Sequence, residues 1–470
     1  MDSFDISELV RTQRAFFSTG KTKDVEFRRN HLLALKQKIN QYEKQIIQAL
    51  HEDLGKSEFE AFATEIGIIQ AEITYMIKHM RRWAKTKRVH TPITSFWSKS
   101  RVQPEPYGCV LIISPWNYPF QLALVPMATA ICAGNCVTLK PSSSSPATSA
   151  VIAKMLAEVF PAGFVSVVCG GHENHDALLS QKFDYIFFTG SVSVGKKIMA
   201  AAAQNLTPVC LELGGKSPCI VDETCDVETA ARRIIWGKLL NAGQTCVAPD
   251  YILVHAKIKH RLVQAMLKYI LQFYGDTPLD PESILPAIIN QRHFLRLISL
   301  CDGSNPNNGK VLRAATSTTY PAYDAGTRKM APVILDEPKT DSPAMTEEIF
   351  GPVLPVISVQ DMEEAIAFVA ARPEPLALYL FTKDKKLEKS VVKNLRYGGG
   401  CINDTVMHLT SPYMGFGGIG NSGMGSYHGK TGFDTFTHYK SILKTPASLD
   451  FPFRYPSCKN NIQLAKMFMK

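Results

Sequence analysis

The chain has 470 residues, 45% of them hydrophobic and 20% charged, with a formal net charge of +10. That is ordinary for a soluble globular protein and long enough for roughly two or three domains, each with a sizeable core. The basic excess is scattered and comes with no helix-turn-helix or zinc module, so nucleic acid is not expected as a partner.

Eleven cysteines are present, an odd number with no CxxC pair, which reads as reduced thiols in a cytosol. No Cys/His set has the spacing of zinc ligands, so no metal is expected. The opening "MDSFDISELVRTQRAFFSTGKT" is acidic early and lacks the continuous apolar core of a secretory signal. The most apolar stretch, "LALVPMATAICAGNCVTL", is interrupted by Pro126, Gly134 and Asn135, which argues against a membrane span. The expected location is cytoplasmic.

Residues 1–84 read as helices, with "EFRRNHLLALKQKINQYEKQIIQALHEDL" placing apolar residues at helical spacing. A strand-like pair follows in "VHTPITSFW" and "SRVQPEPYG", joined by a polar turn. Then short apolar runs alternate with helical segments. "GCVLIIS" precedes a helix over about 119–133. "CVTL" precedes a helix that Ser145 can cap and Pro146 can begin. "GFVSVV" and "DYIFF" come next, and the helix "VSVGKKIMAAAA" after them.

Buried apolar strands separated by helices imply parallel pairing with crossovers, a doubly wound α/β sheet of the kind that binds dinucleotides. A second α/β pattern, with "CIVD", "YILVHA" and "ALYLFT", runs from about 209 to 405. Beyond it lies the Gly-rich "YMGFGGIGNSGMGSYHGKTG". The tail from 447 spaces Phe451, Phe453, Ile462, Leu464, Met467 and Phe468 among basic residues, a weakly amphipathic pattern.

Several residues have the chemistry of a site. In "FFTGSVSVG", Gly190 and Gly195 follow a strand and open a helix, where free N–H groups favour an anion. The spacing G-x-x-x-x-G differs from the G-x-G-x-x-G dinucleotide fingerprint, and a plain helix-start turn explains it equally. Lys140 ends the strand "CVTLK" at the carboxyl edge of the sheet, either solvated or facing a ligand crevice. Glu212, between leucines in "VCLELGGKSP", has a setting that raises a carboxyl pKa towards the range of a general base; the alternative is an ion pair with Lys216.

Asn117 in "SPWNYP" can donate to an oxyanion or cap the following helix. Cys246 in "NAGQTCVAPDY" can be core filler, half of a disulfide, a metal ligand or a nucleophile. Its neighbours Gly243, Gln244, Thr245, Val247 and Ala248 make no apolar stripe.

The segments "PWNYP", "LKPS", "FTGSVSVG", "LELGGKSP", "GQTC", "EEIFGPV" and "NSGMG" occur in the order seen in the aldehyde dehydrogenase superfamily. The match runs from about residue 20 to 445. "GQTCVAPDY" and "GNSGMGSYHGK" make the chain resemble the class 3 branch, with its fatty and aromatic aldehyde dehydrogenases.

The resemblance implies NAD(P)-dependent oxidation of an aldehyde, medium or long chain or aromatic, to the carboxylic acid. It makes Cys246 the nucleophile, through a thiohemiacetal and a thioester. Asn117 and the Cys246 N–H would hold the oxyanion, and Glu212 would activate the hydrolytic water. Lys140 would meet the adenosine ribose. Gly190, Ser191 and Gly195 would approach the pyrophosphate. Glu348 would hold the nicotinamide ribose, with Phe350 beside it.

The same resemblance implies two doubly wound Rossmann-like domains with a small β bridging element. Residues 1–84 and 108–208 would bind NAD or NADP, 209–405 would be catalytic, 85–107 and 406–446 would bridge subunits, and 447–470 would form a tail. A homodimer is expected. The tail lacks a long apolar anchor, leaving a peripheral membrane contact, a cover over the substrate mouth or packing on its own subunit.

One position departs from the pattern. Many NAD-selective relatives read K-P-S-E, whereas Ser143 stands at the acidic place here, in "KPSS". The missing acid predicts tolerance of NADP beside NAD. Two rival functions remain from sequence alone, a coenzyme A-acylating relative and a catalytically silent binding protein. Glu212 argues against the first, and the intact Cys246, Glu212 and Asn117 against the second.

Overall fold

The computed structural model describes residues 5–314, 320–451, 454–456 and 461–468. The helices Ile6–Ser18, Val25–Leu54 and Gly67–Trp83 lead into β1 (Lys87–Val89) and β2 (Lys99–Pro106), an antiparallel pair. The first of these strands is shorter than "VHTPITSFW" suggests. Residues Ile93–Ser95 turn into a 3-10 helix after Pro92, which has no N–H to offer a ladder.

Next come β3 (Cys109–Ile113), β4 (Cys136–Lys140), β5 (Val165–Val167), β6 (Tyr185–Gly190) and β7 (Val209–Leu213). They form a parallel sheet in the order β5-β4-β3-β6-β7. The order reverses at β3, so the crevice for a ligand opens at the carboxyl ends of β3 and β6. All five residues of β3 and of β4 are buried, as strands covered on both faces must be. The helix Gln121–Ala133 that connects them is buried at every position, which accounts for its continuous apolar sequence.

The second sheet collects β8 (Pro218–Val221), β9 (Tyr251–His255), β10 (Lys310–Arg313), β13 (Val333–Asp336), β14 (Val353–Val359), β15 (Ala377–Phe381) and β16 (Gly399–Ile402). Its order is β10-β13-β14-β9-β8-β15-β16, parallel except for the edge strand β10. The short strands β11 (Tyr323–Asp324) and β12 (Lys329–Met330) form a separate ribbon. The architecture is therefore two doubly wound α/β sheets with a small β element.

The C-terminal segment returns to both earlier units. β17 (Gly423–Met424) pairs antiparallel with β7, setting Gly423 opposite Glu212. β18 (Thr437–Lys444) pairs with β2 over its full length. In the tail, Phe451 packs 4.6 Å from the Trp97 ring, and the helix Asn461–Phe468 leaves Ile462 and Met467 exposed. Phe453 lies outside the described residues. Among the described residues, no helix is long and apolar enough to cross a membrane.

One capping expectation changes. Pro146 does begin the helix Pro146–Ala157, but the Ser145 side chain makes no cap bond. The buried carboxylate of Asp53 does so from the end of the helix Val25–Leu54. It accepts from Ala147 N at 3.1 Å, Thr148 N at 2.8 Å and the Thr148 hydroxyl at 2.7 Å. This cap ties an N-terminal helix to the first sheet's crossover. Asp53→Ala is expected to cost about 1–2 kcal/mol, read as a lower midpoint of thermal unfolding, with a smaller loss for Ser145→Ala.

Candidate active site

The site lies where the carboxyl edge of the first sheet meets loops that enter the amino edge of the second. β3 ends into the turn that carries Asn117, β4 ends at Lys140, and β6 ends at Gly190. From the other side, Cys246 stands just before β9 and Glu348 just before β14.

Cys246 is presented by an unusual backbone. Asn241 and Ala242 are left-handed, each with φ 52°, and Gly243 follows at φ 78°. Left-handed non-glycine residues cost roughly 1–2 kcal/mol each, so surrounding bonds must hold them. A Cβ on Gly243 would collide with the Gly351 carbonyl, so the third position has to be glycine.

The fully buried Gln244 is the main clamp. Its amide donates to Ala287 O at 3.0 Å and Asn241 O at 3.1 Å, and its oxygen accepts from Ile289 N at 3.0 Å. The loop then delivers a thiol whose sulfur meets the N–H groups of Cys246 and Val247. Burial, with Glu348 and Glu212 nearby, still pushes its pKa up to about 12.

Asn117 does not cap the next helix. Its Nδ2 donates to Gln244 O at 3.0 Å, placing the side-chain amide beside the loop that carries Cys246. The cap is Glu65, which accepts from Phe120 N at 2.8 Å and Gln121 N at 3.1 Å. The tyrosine after Asn117 joins the same wall, its hydroxyl 2.6 Å from the Thr245 hydroxyl.

Glu212 is buried on β7 and does not pair with Lys216. Lys216 bonds instead to Asp250 at 2.6 Å and to Glu347 O at 3.0 Å. Glu212 accepts only a long contact from the Cys210 thiol at 3.8 Å, and its other oxygen has no protein partner among the described residues. Burial raises its pKa well above the usual carboxylate range. Its charge, with that of Glu348, adds to burial in raising the pKa of the Cys246 thiol.

The cofactor candidates stand at the carboxyl ends of β4 and β6, at the start of the helix after β6 and in the loop before β14. Lys140 is buried, donating to Gly170 O at 2.7 Å and Pro141 O at 3.1 Å, and burial lowers its pKa. Ser191 caps the helix Val192–Ala203, its hydroxyl accepting from Val194 N at 3.4 Å. Gly195 lets that helix lie against β7, since a Cβ there would meet Leu213 at 2.7 Å.

Glu348 accepts from Gly215 N at 3.2 Å, and burial lifts its pKa to about 8. It borders a cavity of about 560 Å³ shared with Val192, Gly214 and Lys216. Phe350 packs edge-on to Trp116 at 5.4 Å. A helix N-terminus, a strand-end ammonium and a carboxylate along one crevice fit a dinucleotide with two phosphates and two riboses.

Sequence reading missed Lys56, Glu60, Glu65, Asn241 and Gln244. The first three sit in "GKSEFEAFATE", which has the composition of a solvated helix face, and nothing in it reveals which charges turn inward.

Known proteins similar to this chain show its family. The model of the aldehyde dehydrogenase family matches residues 1–442. The chain is 46% identical to 4,4'-diaponeurosporen-aldehyde dehydrogenase of Staphylococcus aureus over 99% of both chains. It is 43% identical to the dimeric NADP-preferring aldehyde dehydrogenase of Canis lupus familiaris, over 98% of this chain and 99% of that one. A solved substrate-bound AldH from Staphylococcus aureus superposes with a TM-score of 0.94 at 45% identity, covering 100% of both chains. An indole-3-acetaldehyde dehydrogenase from P. syringae, solved with NAD+, gives 0.85 at 26% identity over 94% of this chain and 89% of that one. The chain belongs to the aldehyde dehydrogenase family and, as a class 3-like member, oxidises an aldehyde with NAD or NADP.

Proposed function

We propose that Cys246 carries the reaction as a covalent nucleophile on a medium or long-chain aliphatic or aromatic aldehyde, releasing the carboxylic acid. What supports this reading is the Asn117 amide bonded to the loop that carries Cys246, together with a buried Glu212 close enough to raise the thiol pKa and with one carboxylate oxygen unpartnered among the described residues. The Sγ gives its proton to solvent water and adds to the aldehyde carbon, forming a thiohemiacetal whose oxygen carries the charge. The developing oxyanion is held by the second N–H of the Asn117 amide and the N–H of Cys246. A nicotinamide cofactor held by Lys140, Ser191 and Glu348 would supply the two-electron acceptor that takes hydride from the adduct carbon, leaving the acyl group on Sγ as a thioester. Glu212 then takes a proton from water as the water oxygen attacks the acyl carbon, the C–S bond breaks to release the carboxylic acid, and the departing sulfur takes that proton back from Glu212 to restore the thiol.

In the crevice, Lys140 meets the adenosine ribose, Gly190, Ser191 and Gly195 the pyrophosphate, and Glu348 with Phe350 the nicotinamide side. This assigns 1–84 and 108–208 to cofactor binding, 209–405 to catalysis, 85–107 and 406–446 to bridging and 447–470 to the tail. Two features support an apolar substrate. Exposed Phe59 and Phe62 bracket Glu60, which touches the nucleophile loop. The Staphylococcus aureus relative is named for 4,4'-diaponeurosporen-aldehyde. A homodimer is supported by the canine relative's name, and a cytoplasmic location by the free thiols.

The first test follows nicotinamide reduction with short, long-chain and aromatic aldehydes. Cys246→Ala should abolish turnover. Glu212→Gln should keep one stoichiometric burst and lose steady turnover by about 100-fold or more, as expected for loss of a general base. Steady turnover of Glu212→Gln restored by coenzyme A, with acyl transfer to it, would favour the acylating reaction instead.

The resting thiol offers a second check. Below a pKa of about 12 the thiolate fraction grows tenfold per pH unit. Iodoacetamide labelling of cofactor-free Cys246 should therefore be slow at pH 7 and rise about 100-fold by pH 9. A rate that levels off below pH 8 would contradict the burial argument.

The exposed Ser143 carries no acid to repel a 2′-phosphate. The KM for NADP should lie within a thousandfold of that for NAD, a gap smaller than about 4 kcal/mol. Ser143→Glu should raise the NADP value selectively.

A further inference from the structure

Of the four charged residues in 56–66, Lys56, Glu60 and Glu65 turn inward; the reaction above uses none of them, yet each bonds to the segments that carry Asn117 and Cys246. Lys56 has no solvent exposure. Its ammonium donates to Glu65 at 2.5 Å and to the Asn117 backbone carbonyl at 3.1 Å, and lies 4.1 Å over the Tyr118 ring. Asn241 donates its side-chain amide to the same Asn117 carbonyl at 2.7 Å. The backbone N–H of Asn241, the first left-handed residue, donates to the Glu60 carboxylate at 2.5 Å. Between Glu60 and Glu65 the helix widens into a π turn over Phe62–Ile66, an irregularity frequent at functional sites.

We propose that Lys56 and Glu60 are positioning residues for catalysis, Lys56 fixing the Asn117 segment and Glu60 fixing the left-handed turn that presents Cys246. The inference rests on the roles given to Cys246 and Asn117 above. Buried ion pairs are poor stabilisers compared with apolar packing of the same shape, so stability alone gives little reason to keep charges here. Their bonds converge on one carbonyl and one N–H, each belonging to a loop that must hold its geometry within a fraction of an ångström. Glu60 acts on the nucleophile loop and Lys56 on the oxyanion loop, while Asn241 joins the two.

The test uses the full-length enzyme with saturating cofactor and compares Glu60→Ala, Glu60→Gln and Lys56→Met with wild type. Glu60→Ala and Lys56→Met should lower kcat by roughly 10- to 100-fold, the size of effect that misplaced reacting groups produce. The cofactor KM should stay within about twofold, because neither residue lies along the crevice. Glu60→Gln keeps an oxygen acceptor for the Asn241 N–H and should recover most of the lost kcat. Glu60→Ala should also change the rate of iodoacetamide labelling at Cys246, which a purely structural role would leave alone.

Equal losses in Glu60→Ala and Glu60→Gln would overturn the positioning role of that hydrogen bond. Unchanged kcat in Glu60→Ala and Lys56→Met, with Cys246→Ala inactive, would overturn the inference and leave the covalent mechanism standing. Full activity in Cys246→Ala would overturn the mechanism itself. Should Lys56→Met fail to fold, the half-exposed Glu60 pair still decides the question.

Discussion

The left-handed turn at Asn241–Gly243 is the constraint on which the site depends. A regular helix running on from Val227–Leu239 would carry the sulfur past the crevice. Reversing the sense of the backbone for three residues turns the chain back, so Cys246 stops beside Asn117 and not in the second sheet. The reversal is unfavourable for Asn241 and Ala242, and the buried amide of Gln244 offsets it with three hydrogen bonds to fixed backbone groups. Glycine at 243 is then a matter of space as well as dihedral angle, because the Gly351 carbonyl occupies the place of a Cβ.

Electrostatics follow from the same dry setting. Glu212 and Glu348 both stand near the thiol, and burial pushes all three groups towards their neutral forms. An uncharged pocket is what a reactive sulfur needs while idle, since a thiolate at rest would be open to oxidants. A positive charge brought close to these groups would shift that balance, favouring the anionic forms of sulfur and carboxylate together.

Much of this was legible in the sequence, and the limits have a physical cause. Strands such as Cys136–Lys140 and the helix Val192–Ala203 announce themselves through apolar runs and periodicity, which report on burial along one element. Cys246 stood out because its neighbours make no apolar stripe, although Gln244, Val247 and Ala248 are in fact buried. Contacts between distant elements leave no such trace. Asp53 capping a helix ninety-odd residues later, Glu65 taking the cap that Asn117 was free to make, and Lys216 choosing Asp250 over Glu212 all depend on which side chain arrives where. The inward charges of residues 56–66 were the least legible, since a buried Lys–Glu pair and a solvated one are spelled alike.

The pairing of Gly423 with Glu212 has a consequence for how the chain is made. Until the C-terminal segment arrives, β7 is the open edge of its sheet, with unpaired N–H and C=O groups next to the buried acid. At about 5–20 residues per second, roughly two hundred further residues take about 10–40 seconds to emerge from a ribosome. For that interval the nascent protein holds a nearly finished cofactor sheet with a bare strand, the sort of edge that other chains can join. A two-residue strand made some two hundred residues after β7 is therefore what closes that edge against other chains.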